Sequence, residues 1–269
     1  MPKTVVVYPE PGQEGKFFDK MPNDWHIMHH QLRDELTALD FEVHLWPEYT
    51  PNSHDVGLCF DFPSPPRVCT YPDKSLLVIL EPPIIHPRQY EKMNGLPFTR
   101  ICCGARDFCD EKRVFWEPFP VVKCNVDVSG IPRDKEICAV SGGGKNFPPV
   151  TINGREYMAY YHARKMVYVG LGKDLDLYGF GWESDYELIN SVNYKGPIQG
   201  HKVPVMAQYK HAIVFENCYC EGWASEKQYD AYQAGVIPII RGWRPDYPWE
   251  YAQSDQWAKR IASHVKAIT

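Results

Sequence analysis

The stretch YKHAIVFENCYCEGWASEK, residues 209–227, followed by AGVIPIIRG, residues 234–242, decides how this chain is read. Ala212 to Glu216 is a short apolar run closed by an acid, the pattern of a strand buried on both faces of a parallel sheet. It delivers Glu216 and Asn217 to its C-terminal end, the edge of an open α/β sheet where ligands bind. The spacing then predicts a helix over Trp223 to Ala234, with Gly235 as its C′ residue. Ser225, Glu226 and Lys227 fall in its first turn. Unpaired N–H groups and the helix dipole favour an anion there, and Lys227 adds a full positive charge. Such a turn suits a pyrophosphate, with Glu226 accepting hydrogen bonds from ribose hydroxyls. The competing reading of the triplet alone is an ordinary capped helix with Lys227 solvated. Val236 to Ile240 is the next strand.

Working outward, Ile137 to Val140 reads as a strand running straight into Ser141-Gly-Gly-Gly-Lys145. A helix over Asn153 to Val169, a strand over Asp174 to Tyr178 and a short helix over Val203 to Tyr209 complete the approach to the deciding stretch. The last helix covers Gln253 to Ala267. The first half opens with an apolar run, Thr4 to Tyr8. A helix over Asp24 to Leu39 follows, capped by Asn23 or Asp24, with Ile27, Leu32, Leu36 and Leu39 as its apolar stripe. Strands are expected at Phe41 to Trp46, Val56 to Phe60, Leu76 to Leu80 and Thr99 to Cys103. Strands alternating with helices or long crossovers point to mostly parallel sheets. Phe115 to Pro132 reads as a linker, which divides the chain into domains at residues 1–120 and 133–269.

A chain of 269 residues, 44% of them hydrophobic, has room for two cores. A net charge of −5 argues against a protein that coats nucleic acid, but leaves room for a local basic pocket. No apolar run is long enough for a transmembrane segment, and the N-terminus lacks the core of a signal peptide, so a soluble, cytoplasmic protein is expected. The nine cysteines, among them Cys102 beside Cys103 and Cys218 near Cys220, have neither disulfide-framework nor zinc-site spacing, so reduced thiols are expected.

The deciding stretch resembles the donor-binding motif of the α-1,3-fucosyltransferases, which runs from Phe-Glu-Asn through an aromatic residue and Thr-Glu-Lys to a proline-containing strand. Here it reads Phe215-Glu216-Asn217, Trp223 in the place of tyrosine, Ser225 for threonine, Glu226-Lys227 and Val236-Ile-Pro238. The resemblance extends over Asp134 to Gly242. It implies a GT-B architecture, α/β with two Rossmann-like domains facing a cleft, whose C-terminal domain holds GDP-fucose. It also implies inverting transfer of the sugar to a glycan acceptor without a required metal or other cofactor. Carried onto matching positions, Asn217, Glu226 and Lys227 contact the donor and Trp223 packs beside it. Asn153-Gly-Arg155-Glu-Tyr-Met-Ala-Tyr160 resembles the family helix that brings an arginine to the donor phosphates, with Arg155 in that role and Arg164 as its competitor. A UDP-sugar such as UDP-xylose is the alternative donor, and a non-catalytic glycan-binding protein on the same fold is the alternative from another class.

Transfer to a hydroxyl is easiest when a carboxylate takes the proton. Glu81 follows a buried strand and is held by Pro82-Pro83 at its C-terminal edge, and Glu81-Pro82-Pro83 loosely resembles the acid-proline turn of the fucosyltransferases. Four further donor contacts are weaker: Ser141, Lys145, Glu216 and Ser225. The Ser141–Lys145 run does not have P-loop spacing and reads as a flexible strand-to-helix connection. His26 and His30 have metal-binding spacing on the first helix but no third ligand nearby. Asp174-Leu-Asp176 imitates the Asp-x-Asp of metal-dependent transferases inside an expected buried strand.

Overall fold

The structure is a computed structural model that describes residues 3–9, 17–19, 25–61, 71–143, 145 and 147–269. Along the chain lie β1 (Lys3–Tyr8), α1 (Trp25–Ala38), β2 (Phe41–Leu45), β3 (Val56–Phe60), β4 (Ser75–Ile79), α2 (Pro87–Glu91), β5 (Arg100–Cys103) and β6 (Val114–Trp116). Next come β7 (Lys135–Val140), β8 (Val150–Ile152), β9 (Arg155–Tyr157), α3 (Tyr161–Leu171), β10 (Leu175–Tyr178), α4 (Tyr186–Ser191) and β11 (Asn193–Gly196). The chain finishes with α5 (Lys202–Met206), β12 (Tyr209–Phe215), α6 (Glu226–Gln233), β13 (Ile237–Arg241), α7 (Trp249–Ala252) and α8 (Ser254–Lys266). Two compact units result, the first made of 1–122, 221–223 and 245–269, the second of 123–220 and 224–244.

The first unit carries a six-stranded, all-parallel sheet in the order β2-β1-β3-β4-β5-β6. Its central strands β3 and β4 are buried at every position, as expected of parallel strands covered on both faces. α1 packs against α8, whose buried stripe is Trp257, Ala258, Ile261, Ala262 and Val265. The buried stripe of α1 runs through Met28, Leu32 and Leu36 rather than through Ile27, and it includes His29. The N-cap expected at Asn23 or Asp24 lies outside the described residues.

Phe115, expected to open the linker, sits in β6, paired in parallel with Cys102 of β5. Pro245 to Thr269, expected in the second domain, belongs to the first unit. The reason is packing: α8 buries an almost wholly apolar face, and Val121 ties to the α7–α8 junction through its N–H on the Ala252 carbonyl and its own carbonyl on the Ser254 N–H, both at 2.9 Å.

The second unit is a five-stranded parallel sheet in the order β11-β10-β7-β12-β13. Its first strand, β7, lies at the centre. The chain winds outward on one side through β10 and β11, then returns to the other side through β12 and β13, the doubly wound order of a mononucleotide-binding fold. Such a sheet has its switch point between the C-terminal ends of β7 and β12.

The helix expected from Asn153 is a β-hairpin. β8 and β9 are antiparallel, and Asn153 and Gly154 turn the chain between them with φ of 51° and 78°. Positive φ at both central residues is the type I′ condition, which Asn-Gly meets at little strain. The helix starts only at Tyr161. α6 likewise begins at Glu226, not Trp223, because Ser225 has an extended backbone and its side chain accepts the Lys227 N–H. Gly235 ends it with φ 65°, in the C′ position expected from the sequence.

Candidate functional site

The switch point of the second unit gathers most of the singled-out residues. β12 brings Glu216 to its C-terminal end fully buried. One carboxylate oxygen accepts the Ser225 N–H at 3.0 Å and the Gln228 side-chain amide at 2.8 Å. Gln228 also donates to the Trp243 carbonyl at 2.8 Å. Glu216 therefore braces the loop from β12 to α6 and holds the cap residue in place, rather than presenting its carboxylate to solvent. Ser225, itself 1% exposed, caps α6. Asn217 follows at the strand edge, half-buried, with its carbonyl accepting the Tyr160 N–H at 2.9 Å.

The first turn of α6 holds a compact charged cluster. Glu226 lies 3.2 Å from the Lys202 ammonium and 3.5 Å from that of Lys227. Lys202 also reaches Asp230 at 3.1 Å, and Lys227 donates to the Ser225 hydroxyl at 3.2 Å. Burial works to raise the Glu226 carboxyl, but Lys227 and Lys202 outweigh it and hold it at about 2. Burial likewise disfavours the Lys202 ammonium, yet Glu226 and Asp230 push its pKa up. Burial raises Asp230, with Lys202 only partly opposing it. Lys202 is taken up by the two acids, so the turn offers the Glu226 carboxylate and the Lys227 ammonium beside a helix N-terminus, a setting suited to a phosphate chain and vicinal hydroxyls.

The glycine-rich run after β7 behaves differently from a phosphate cradle. The Ser141 N–H donates to the Tyr178 carbonyl at 3.0 Å and the Gly143 N–H to the Phe180 carbonyl at 2.9 Å. The Ser141 carbonyl takes the Trp182 indole N–H at 2.7 Å, and its hydroxyl pairs with the Tyr168 hydroxyl at 3.0 Å. Close backbone packing joins the run to the loop after β10: a Cβ on Gly143 would overlap the Trp182 ring, and one on Gly179, whose φ is 134°, would overlap the Ser141 carbonyl. Lys145 is exposed.

Of the two arginines expected on one helix, only Arg164 lies on it. Arg155, expected at a helix start, is exposed on β9, its guanidinium 5.5 Å from the Tyr157 ring centroid. Arg164, on α3, is 1% exposed and donates to the carbonyls of Gly142 at 3.2 Å and Phe215 at 3.1 Å. It therefore clips together the chain ends leaving β7 and β12, the two strands that flank the switch point.

Glu81 belongs to the first unit. It stands two residues past β4, half-buried, with its peptide held on both sides. Its carbonyl accepts the Tyr90 hydroxyl at 2.7 Å, and buried Asp61 accepts the N–H groups of Leu80 at 3.2 Å and Glu81 at 3.5 Å. Trp223, expected beside a ligand, is a core residue of the same unit. It is 2% exposed, its indole donates to the Leu80 carbonyl at 3.1 Å, and its ring meets Phe119 edge-on at 5.9 Å.

The imitations of metal sites resolve into structural ties. Asp176 accepts the Tyr209 hydroxyl at 2.7 Å and pairs with Lys195 at 3.5 Å. His26 and His30 stand edge to face, 6.1 Å between centroids. Among the described residues no group of three or more His, Cys, Asp or Glu could hold a metal ion. None of the described helices is long and apolar enough to cross a membrane.

Sequence reasoning passes over Lys202 and Gln228. Lys202 opens a five-residue helix with no motif around it, and only the fold brings it to Glu226 across 24 positions of chain. Gln228, next after the Ser-Glu-Lys triplet, could have been found from its place in the first turn, one residue beyond the capped lysine.

No protein-family profile matches the chain, and no curated protein does. Among solved structures, an α-glucosyltransferase in complex with UDP and a 13-mer DNA containing a central A:G mismatch superposes with a TM-score of 0.50 at 9% identity, over 98% of this chain and 92% of that one. An α1,3-fucosyltransferase with GDP gives 0.48 at 15% identity, over 99% of this chain and 80% of the other. The same kind of enzyme with GDP-fucose gives 0.47 at 13%, over the same 99% and 80%. At such identities the likeness is one of fold. The chain has the mixed α/β architecture of the GT-B glycosyltransferases, with two parallel-sheet units.

Proposed function

We propose that this chain is an inverting glycosyltransferase that moves a sugar, L-fucose from GDP-fucose, to a glycan hydroxyl. The observation that carries the reading is the start of α6. Ser225, Glu226 and Lys227 form a capped, charged first turn at the C-terminal end of β12, the switch point of a doubly wound sheet. The order Phe215-Glu216-Asn217, Ser225-Glu226-Lys227, Val236-Ile-Pro238 supports the fucosyltransferase assignment of that turn.

In this reading Asn217 and Glu226 position the donor, while Lys227 and Arg155 stabilise the diphosphate as its charge grows. The acceptor oxygen forms a bond to the anomeric carbon, the bond from that carbon to the diphosphate breaks, and its electron pair leaves with the nucleotide. Glu81 takes the proton of the attacking hydroxyl. No step requires a metal.

The test is release of nucleotide from GDP-fucose, GDP-mannose, UDP-xylose and other UDP-sugars, without acceptor and without metal. Slow release of GDP from GDP-fucose alone is the expected result. Release from a UDP-sugar replaces the donor and keeps the mechanism. No release, with no nucleotide raising the melting midpoint, favours a glycan-binding protein without catalysis.

A further inference from the structure

We infer that Lys202 is a positioning residue of the nucleotide-sugar site: by neutralising Glu226 and Asp230 from α5, it leaves the Lys227 ammonium free to meet the donor diphosphate. The inference rests on the donor reading of α6 given above.

Four charges share the first turns of α6. Glu226 and Asp230 are one helical turn apart on the same face, and Lys227 lies beside them. Asp230 is buried and Glu226 partly so, with 8% and 22% of their side chains exposed. Lys202 comes from another element and touches both acids, at 3.2 and 3.1 Å. It lines a small cavity with Lys227 and Asp230, walled by Val140 from the end of β7 and by Ile213 and Val214 of β12. The groups facing Glu226 and Asp230 are thus Lys227 on their own helix, and Lys202 on α5 with His201 just before it.

With Lys202 the set of two lysines and two acids is neutral. Without it, two partly buried carboxylates face one lysine, and the net charge at the turn becomes negative. A buried charge left without its partner is felt strongly at short range. Lys227 is then drawn wholly into pairing Glu226, and a diphosphate meets a repelling turn. Lys202 need not touch the donor to act. Its effect is read through the phosphates and is absent for the nucleoside.

The experiment is calorimetric binding of GDP, UDP and guanosine to the whole chain as wild type, Lys202→Met, Lys202→Arg and Lys202→Met with Asp230→Asn, each checked for folding by thermal melting. Lys202→Met is expected to weaken GDP by about tenfold or more and to leave guanosine unchanged. Adding Asp230→Asn restores most of the lost GDP affinity because it removes the uncompensated charge, and Lys202→Arg stays near wild type. Equal GDP affinity in wild type and Lys202→Met overturns the inference alone. So does equal weakening of GDP and guanosine, or a folded double variant that does not recover. A wild type that binds neither GDP nor UDP overturns the donor reading, and this inference with it.

Discussion

The Glu216 carboxylate accepts the Ser225 N–H at 3.0 Å, closing the nine-residue span between the end of β12 and the cap of α6. One buried acid thereby sets where the charged turn of Glu226 and Lys227 begins. Glu216→Ala strands the Ser225 N–H and the Gln228 amide in a dry site. It is expected to destabilise the protein by about 3 kcal/mol in chemical denaturation and to weaken nucleotide binding with it. A loss of binding at full stability would instead place Glu216 on the ligand.

Trp223 is expected to act on stability and not on the donor. Trp223→Phe removes the hydrogen bond to the Leu80 carbonyl and leaves a void against Phe119. A loss of about 2 kcal/mol is expected in denaturant melts, with GDP affinity unchanged by calorimetry. A selective loss of GDP affinity would return Trp223 to the donor site.

Glu81 and Tyr90 separate chemistry from positioning. Glu81→Gln is expected to abolish turnover and keep GDP affinity. Tyr90→Phe frees the Glu81 carbonyl from its 2.7 Å partner. It should lower kcat several-fold while the donor KM holds, as a peptide that loses this hold loses its aim. Initial-rate kinetics with a working acceptor would check both, and full turnover by Glu81→Gln would remove it from the mechanism.

His29 gives the protein an acid-sensitive element. Burial, foremost, and the nearby His30 and His26 lower its pKa from 6.5 to about 4, against a partial opposing pull from the Phe17 carbonyl. The unfolded chain therefore takes up this proton first. The contribution of neutral His29 is whole above pH 6.5 and is lost as pH falls from there to about 4. Near pH 5 the loss is about 2 kcal/mol. The difference in stability between wild type and His29→Phe measured across this window should shrink as the wild type loses its advantage, while His86, also lowered by burial, gives both a common slope. Parallel curves would refute the assignment.

The parallel cores were legible because their strands are continuous apolar runs: Leu76 to Leu80 and Ala212 to Glu216 could hardly sit anywhere but inside a sheet. The capped turn at Ser225 was legible too, since capping chemistry is local. The misread places are those where a local signal was overridden or not weighed. Asn153-Gly154 is a strong hairpin signal, and the helix expected across it begins only after the hairpin closes. Trp223 looked like part of a helix because nothing nearby announces that its indole reaches Leu80, 143 positions away. Lys202 was silent for the same reason: a buried ion pair exists only in three dimensions. Glu216 stands at the sheet edge where ligands bind, which makes it a donor candidate in sequence, and its two internal donors cannot be counted there.

The first unit is closed by the last helix of the chain, since α8 lies against α1 and Val121 pairs with the α7–α8 junction. The second unit draws on residues 123–220 and 224–244 alone. The first unit is therefore complete only when α1 meets α8 from far along the chain, a non-local contact of the kind that slows folding. Until that contact forms, the apolar β3 and β4 strands are open to wrong partners.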